Sequence, residues 1–258
     1  MDTLYDYRKC LWAIPLAVLL NIRCLQPDTD GDLLGTLNDF FLRSFFDVRS
    51  YEGADHTVLI FSFMSMSFIL VFAVLCGMDI YREMYSSGIY VITRVKNKRN
   101  WFGSLVWGLA KKSLLFSLLY AAIDWALQMY YTRMDMDGVS VFAFVLAISF
   151  LFFTTFFVAL LINYFSVRWS TRAGVFGGVA VLFLMVLGVV FCDDIPFFEA
   201  VPALRYLDPL YMCNLFYEDT AITIAAALGY YTALLALGVF FFIARVERLD
   251  IKLLNEDI

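Results

Sequence analysis

The stretch that decides the fold is residues 138–162, GVSVFAFVLAISFLFFTTFFVALLI, in which twenty-five consecutive residues carry no charged side chain. A helix needs about 17–25 predominantly apolar residues to cross the hydrocarbon core of a bilayer. An α-helix also satisfies all its own backbone hydrogen bonds, as a segment in lipid must. The run therefore predicts a transmembrane helix.

Uncharged runs of similar length lie on both sides of it, at residues 57–78, 173–192 and 220–244. Residues 113–131 form another, interrupted only by Asp124 and ending in Tyr130 and Tyr131, where an interfacial aromatic belt is expected. We predict an all-α, polytopic integral membrane protein that is one domain over residues 1–258. Its six transmembrane helices are placed near residues 5–24, 57–79, 111–131, 139–162, 173–192 and 220–244.

The first of these helices is the least regular. Its apolar run, Cys10 to Ile22, is short and contains Pro15, so it also fits the core of a signal peptide. No small-residue cleavage site follows, and Arg23 stands where a lipoprotein signal needs a small residue. Polar side chains before the run can reach the headgroups and add a turn. We favour a retained transmembrane helix.

The charged residues sort by side of this topology. The N-terminus, residues 78–112, the 163–172 turn and the C-terminal tail together hold fourteen of the nineteen Lys and Arg residues, and the opposite side holds fifteen of the twenty-four carboxylates. Cytoplasmic segments of membrane proteins are rich in Lys and Arg. Both termini are therefore predicted to be cytoplasmic. The cations on the opposite side are Arg23, Arg43, Arg49, Arg133 and Arg205.

Composition agrees with a membrane location. Apolar residues make up 62% of the chain and the mean hydropathy is +0.77, whereas a soluble domain holds about 45–50% apolar residues. The net charge of −5 is the sum over a side rich in Lys and Arg and a side rich in carboxylates, so it says little about partners. Nothing in the sequence supports binding to nucleic acid.

Two segments on the predicted outer side are unusual. Residues 26–55 are acidic but carry apolar residues near helical spacing, which fits a helix on the outer leaflet or a small packed cap. Residues 193–219 are apolar and interrupted by three prolines, which favours broken, re-entrant helices over a solvated loop. Cys192 and Cys213 can form a disulfide there, and free thiols are the alternative.

The cytoplasmic segment at residues 80–100 is the most informative part outside the predicted spans. It contains Arg82 and Glu83, then Gly88, where we expect a break, and it ends in a basic cluster. Residues 101–112 are expected to form an interfacial element before the third span. Such basic segments attract anionic lipid, and a docking surface for a soluble partner explains this one equally well. The cluster consists of Arg94, Lys96, Lys98 and Arg99.

Residues for enzyme chemistry are scarce. His56 is the only histidine, which excludes a metal cage built on several histidines, and its position at the end of a span favours a structural role. The sequence has no Gly-Lys-Ser or Gly-Lys-Thr phosphate loop. We expect no catalytic residue, no metal and no cofactor, so any ATP-driven work requires a separate polypeptide.

Asp124 is the one carboxylate inside a predicted span. Ionisable residues within a membrane normally face protein or water. With Gln128 one turn further along the helix, Asp124 fits a transport pathway or a structural contact equally well.

A pair of glycines lies in the fifth predicted span. Gly174 and Gly178 have the Gly-x-x-x-Gly spacing that allows close helix approach. Packing within one subunit and dimerisation both explain that pair.

The arrangement resembles the type-two permease family of ATP-binding-cassette exporters, in particular the bacterial branch for peptide, lantibiotic or drug export and self-protection. Members have six spans with both ends inside, a coupling helix between spans two and three, and broken helices between spans five and six. The local resemblance lies in the coupling segment and implies contacts with the ATPase. Its residues here are Arg82, Glu83, Gly88, Thr93, Arg94, Lys98 and Arg99.

The resemblance implies a complex of two permease subunits, identical or related, with two cassette ATPase subunits in the bacterial plasma membrane. This chain would supply the pathway and the gate, and it would contact membrane lipid but no nucleic acid. The short first span and the long acidic segment after it depart from the family pattern. Two other classes remain open: a non-transporting membrane scaffold or immunity protein, and an ion-coupled carrier.

Overall fold

A computed structural model describes residues 7–24, 66–94, 98–132, 138–190 and 221–246. Apart from the short turns between elements, these residues are helical, as predicted. A 3₁₀ helix at Arg8–Trp12 leads into the first α-helix. The α-helices are α1 (Ala13–Cys24), α2 (Ser67–Cys76), α3 (Asp79–Arg94), α4 (Lys98–Thr132), α5 (Gly138–Arg168), α6 (Thr171–Val190) and α7 (Ala221–Val246).

Four of these helices are long and apolar enough to cross a membrane: α4, α5, α6 and α7, over residues 98–127, 144–168, 171–188 and 225–244. The other two predicted spans correspond to α1 and to α2, whose described parts have 12 and 10 residues. Residues 26–55, residues 193–219 and the pair Cys192 and Cys213 lie outside the described residues. The chain is thus a helical protein with membrane-length helices.

The helix α5 lies at the centre of the bundle and packs against α2, α4, α6 and α7. Within its membrane-length part 61% of residues are buried, against 28% in α6 and 22% in α7. The buried side of α5 carries Ala147, Phe150, Leu151 and Ala159, all at 0% exposure. The outer helices therefore present apolar faces that suit lipid.

Contacts between pairs of residues fix the relative direction of the helices. Tyr231 stacks on Phe153 and Phe242 contacts Tyr164, so α7 runs parallel to α5. Trp125 contacts Phe144 while Ser113 bonds to Thr155, so α4 runs antiparallel to α5.

The same argument applies to α2, because Phe68 contacts Tyr120 and Phe72 contacts Phe116. The helix α2 is therefore antiparallel to α4. Five elements consequently meet at one end of the bundle: the start of the 3₁₀ helix, the start of α3, the middle of α4, the end of α5 and the end of α7. We call this the cationic end, because the segments predicted to hold most of the Lys and Arg residues meet there.

The bounds of three elements differ from the sequence prediction. The expected break at Gly88 is wrong, because α3 runs through it without interruption. Residues 101–112 do not form a separate interfacial element but belong to α4, which has 35 residues and is about 52 Å long at ~1.5 Å per residue. The predicted turn at 163–172 is reduced to residues 169 and 170, because α5 continues to Arg168.

The tight junction of α5 and α6 explains the glycine pair. A methyl group added at Gly174 would overlap the side chain of Ser166, and one added at Gly178 would overlap that of Ile162. Both glycines therefore allow close approach of α6 to α5 within one chain. Of the two interpretations left open by the sequence, packing inside the subunit is the one these contacts support.

Pro15 fits the helix that contains it. It lies in the first turn of α1. Proline has no backbone N–H, and this costs little in the first turn of an α-helix. The preceding residues form a 3₁₀ helix, in which the backbone N–H of Ala13 bonds to Cys10 and Leu11 carbonyls. The chain from Arg8 to Cys24 is therefore helical throughout despite the proline.

Candidate functional site

The helix α3 is amphipathic and lies at the cationic end. Its inner side carries Ile80 and Met84, which are 2% and 3% exposed, and it packs against α4 and α5. Apolar residues four positions apart fall on one face of a helix, which is why this pair is buried together. The other side exposes a mixed charged and polar face made of Arg82, Glu83, Tyr85 and Ser86.

The first turn of α3 is fastened by an ion-paired cluster. Asp79 accepts a hydrogen bond from the Lys9 ammonium at 2.8 Å on Oδ1 and one from the Lys112 ammonium at 2.6 Å on Oδ2. The Asp79 and Lys112 side chains are 13% and 9% exposed, and that of Lys9 is 28% exposed. Because the three residues come from the 3₁₀ helix, α3 and α4, this cluster joins three separate elements. We call it the Asp79 cluster.

A hydrogen bond also joins α3 to α5. The backbone N–H of Tyr81, in the first turn of α3, donates to Oδ1 of Asn163 at 3.0 Å. The amide Nδ2 of Asn163 donates to the carbonyl oxygen of Ala159 at 2.8 Å, and Asn163 is 0% exposed. The first N–H groups of a helix have no partner inside the helix. Asn163 therefore acts as an N-cap supplied by a neighbouring helix.

Replacing Asn163 with leucine keeps the volume and removes this cap. We expect a loss of about 0.5–2 kcal/mol, the usual range for loss of an N-cap, because the Tyr81 N–H is then left without its acceptor. Thermal unfolding in detergent measures the loss. The matched control is Thr232→Val on α7, where an exposed hydroxyl donates to the Leu228 carbonyl oxygen of its own helix; an equal effect of both changes would contradict the capping role.

Two thiols lie directly beside the Asp79 cluster. Cys10 Sγ is 3.5 Å from the carbonyl oxygen of Lys112, and its side chain is in hydrogen-bonding contact with that of Cys76 at the end of α2. Both cysteines are free and buried. They act as small, closely packed side chains that bring the 3₁₀ helix against α2 and α4.

The interface of α4 and α5 carries a line of buried polar groups. Ser113 bonds to the hydroxyl of Thr155 at 2.7 Å and donates to the carbonyl oxygen of Phe152. One turn along α4, the hydroxyl of Ser117 is buried and has no hydrogen-bond partner among the described residues. Asp124 lies on the same side of α4 and is 2% exposed. Hydrogen bonds between helices of this kind hold membrane helices together.

The N-terminal part of α4 precedes Lys112 in the sequence and extends beyond the Asp79 cluster along the helix axis. Lys98 and Arg99 are exposed and lie about 20 Å from Lys112 along the helix axis, at ~1.5 Å per residue. Closer to the cluster, the Lys111 ammonium lies 5.6 Å from the centre of the exposed Trp107 ring. The opposite side of this stretch is buried through Phe102 and Leu109.

The predicted coupling residues fall on two adjoining elements. Arg82, Glu83, Gly88 and Arg94 belong to α3, and Lys98 and Arg99 begin α4. The structure places Arg82, Glu83, Lys98 and Arg99 at the surface; the side chain of Arg94 lies outside the described set. Asp124 and Gln128 are both in α4, and only the Asp124 side chain is described, as a buried one.

Sequence reasoning missed the residues that fasten α3. In the sequence, Lys9, Asp79 and Lys112 look like ordinary charges flanking apolar runs, and Asn163 falls in the predicted turn. One signal was available, because Asp79 and Glu83 are the only carboxylates between residues 56 and 123 and Asp79 directly follows an apolar run. Which cations it would meet depends on the packing of distant segments.

In the described parts of the chain, no group of three or more His, Cys, Asp or Glu residues is arranged to hold a metal ion. No protein-family model, curated protein or solved structure matches this chain.

Proposed function

We propose that this chain is the membrane-spanning permease subunit of an ATP-binding-cassette transporter in the bacterial plasma membrane. Its substrate is a peptide, a drug or another amphipathic molecule, which it exports using ATP hydrolysed by a separate subunit. Six helices cross the membrane, and both termini and the cationic end face the cytoplasm. This orientation rests on the distribution of Lys and Arg.

The observation that carries the proposal is the construction of α3. It is an amphipathic helix at the cationic end, with its first turn tied to neighbouring helices by Asp79 and Asn163, and it exposes Arg82 and Glu83. A helix that couples an ATPase to a transport pathway needs these two properties together: a charged face for the partner and a firm attachment to the spans.

The same observation argues against α3 being only a lipid anchor. A helix that lies on anionic lipid presents mainly cations on its polar face. The exposed face of α3 carries Glu83 beside Arg82, together with Tyr85 and Ser86. Mixed charges give specificity to a protein–protein contact, so we assign this face to the cassette ATPase.

The proposed assembly contains two permease subunits and two ATPase subunits. We expect Arg82, Glu83, Lys98 and Arg99, with Gly88 and Arg94 further along α3, to contact the ATPase. Asp124 and Gln128 are proposed as polar contacts near the pathway, which fits the burial of Asp124 beside the polar α4–α5 interface. The chain itself carries no catalytic role in this proposal.

The test is co-purification from mild detergent with a co-encoded cassette ATPase, followed by measurement of ATP turnover. Glu83→Lys should weaken the complex by about tenfold, equivalent to about 1.4 kcal/mol, because the reversed charge opposes its partner. Membrane insertion should be unaffected. Arg172→Glu is the control, since Arg172 is exposed and belongs to α6 rather than to α3.

A complex that forms with the wild-type chain and Arg172→Glu, and is weakened by Glu83→Lys, supports the permease function. Failure of every co-encoded cassette ATPase to associate would contradict it and favour a scaffold or immunity protein. A complex that is equally stable with Glu83→Lys would remove Glu83 from the contact surface.

A further inference from the structure

The Asp79 cluster is separate from the exposed face that we assign to the ATPase. One carboxylate holds two ammonium groups, each on its own oxygen, at 2.8 and 2.6 Å. The two lysines are 103 positions apart in the sequence, so the cluster exists only through tertiary packing. It is the place where the 3₁₀ helix and α4 both meet α3.

The cluster is a rigid attachment rather than a loose surface pair. The side chains of Asp79 and Lys112 are nearly buried, where charges are screened little by solvent or salt. Breaking a buried ion pair leaves an unpaired buried charge, which is costly. Movement of the first turn of α3 that separated Asp79 from its lysines is therefore strongly disfavoured.

The surrounding contacts favour movement of these elements as one body. Cys10 follows Lys9 directly and touches both Cys76 and the Lys112 carbonyl. Asn163 holds the adjoining N–H of Tyr81. The start of α3 is thus bonded to the 3₁₀ helix, α4 and α5, and it is linked to α2 through the chain itself.

We propose that Asp79 is the positioning residue through which displacement of α3 passes to the first and third membrane helices, α1 and α4. This inference rests on the proposed permease function, in which the ATPase moves α3. Asp79 pulls Lys9 and Lys112 with it, so α1 and α4 shift together and the polar α4–α5 interface around Ser113 and Thr155 changes. Asp79 touches neither the ATPase nor the transported molecule.

The first arm of the test uses the purified full-length chain without an ATPase. The alkylation rates of Cys10 and Cys76 by N-ethylmaleimide report whether the 3₁₀ helix stays in place, because both thiols are buried. Asp79→Asn should speed alkylation of both. Lys111→Gln, a change at the exposed lysine next to Lys112, should not, and unchanged alkylation in Asp79→Asn would overturn the positioning role.

The second arm uses the permease–ATPase complex and hydrogen–deuterium exchange, with and without ATP and vanadate. Wild type and Lys111→Gln should show nucleotide-dependent changes in α3, α1 and α4. Asp79→Asn should keep the change in α3 and lose it in α1 and α4. The milder Lys112→Gln should keep the change in α3 and in α1, where Lys9 still bonds to Asp79, and lose it in α4. Lys112→Arg, which retains the charge, should keep the change in α4.

The outcomes separate the two proposals. A complex that forms, and in which Asp79→Asn still passes the nucleotide-dependent change to α1 and α4, overturns the role of Asp79 and leaves the permease function standing. Absence of a complex with the wild-type chain overturns the permease function and the transmission role with it. In that case the alkylation rates still decide whether Asp79 fastens the 3₁₀ helix.

Discussion

Gly174→Ala should destabilise the protein by about 2–3 kcal/mol, in the upper part of the range for overpacking a tight interface. The added methyl group would overlap the Ser166 side chain and lie 2.8 Å from the carbonyl oxygen of Ile162. That carbonyl belongs to the backbone of α5 and cannot rotate away. The helices α5 and α6 must therefore separate or shift along each other.

The measurement is the midpoint of thermal unfolding in detergent, followed by size-exclusion chromatography. A loss of 2–3 kcal/mol corresponds to roughly 4–12 °C for a chain of this size. Gly229→Ala on α7 is the matched control, because no atom of the part of the chain that the structure describes lies within 4 Å of a methyl group there. Alanine in an open helical position should be neutral or stabilise by about 0.5–1 kcal/mol.

Two further outcomes make this prediction specific. Combining Gly174→Ala with Ser166→Gly should recover part of the loss, because it removes one of the two overlapping groups. Equal midpoints for Gly174→Ala and Gly229→Ala would contradict the packing of α5 on α6. A change that separated dimers while leaving the subunit's own midpoint unaltered would place the glycine pair between subunits instead.

Lys112→Met should cost about 3 kcal/mol, at the lower end of the ~3–5 kcal/mol for removing one partner of a buried ion pair. The side chain of Lys112 is 9% exposed and bonds to Asp79 at 2.6 Å. Methionine has a similar length and keeps the apolar packing. The cost stays at the lower end because Lys9 continues to neutralise Asp79.

The control is Lys111→Met, which differs by a single position along the same helix. Lys111 is exposed and rests against Trp107, and an exposed contact between a cation and an aromatic ring is worth about 0.5–1 kcal/mol. Thermal midpoints of the two variants should therefore differ clearly. Equal midpoints would mean that Lys112 makes no stabilising pair.

A double-mutant cycle isolates the pair itself. Asp79→Asn with Lys112→Met should be less destabilised than the sum of the two single changes, because Asp79→Asn alone leaves the buried Lys112 ammonium without its carboxylate, whereas the double change removes that ammonium as well. Strict additivity would show that Asp79 and Lys112 are energetically independent. The result bears directly on whether the cluster can transmit displacement between α3 and α4.

The sequence by itself determined the class of fold. Long uncharged runs such as residues 138–162 can be stable in lipid only with their backbone bonded internally, so helices of membrane length follow from local composition. Four of the predicted spans therefore overlap helices of membrane length, α4 to α7, and the described parts of the other two, α1 and α2, are helical. The amphipathic pattern of the segment after residue 79 is also local.

The ends of helices are harder to predict from the sequence, because they depend on the tertiary contacts that the terminal residues make. The turn before α6 is predicted at residues 163–172, between the uncharged runs 138–162 and 173–192. In the structure Asn163 is buried and bonds both to Ala159 and to Tyr81, so α5 continues for a further turn and a half. A break is likewise predicted at Gly88, yet α3 runs through it.

Only the tertiary structure decided the candidate site. Lys9, Asp79 and Lys112 come from three separate parts of the sequence, and each alone resembles an ordinary flanking charge at a membrane boundary. Their meeting depends on the antiparallel alignment of α2 with α4 and on the close approach of the 3₁₀ helix through Cys10. Local sequence sets which segments enter the membrane; long-range packing sets which charges are buried together, and burial is what makes an ion pair strong enough to join helices.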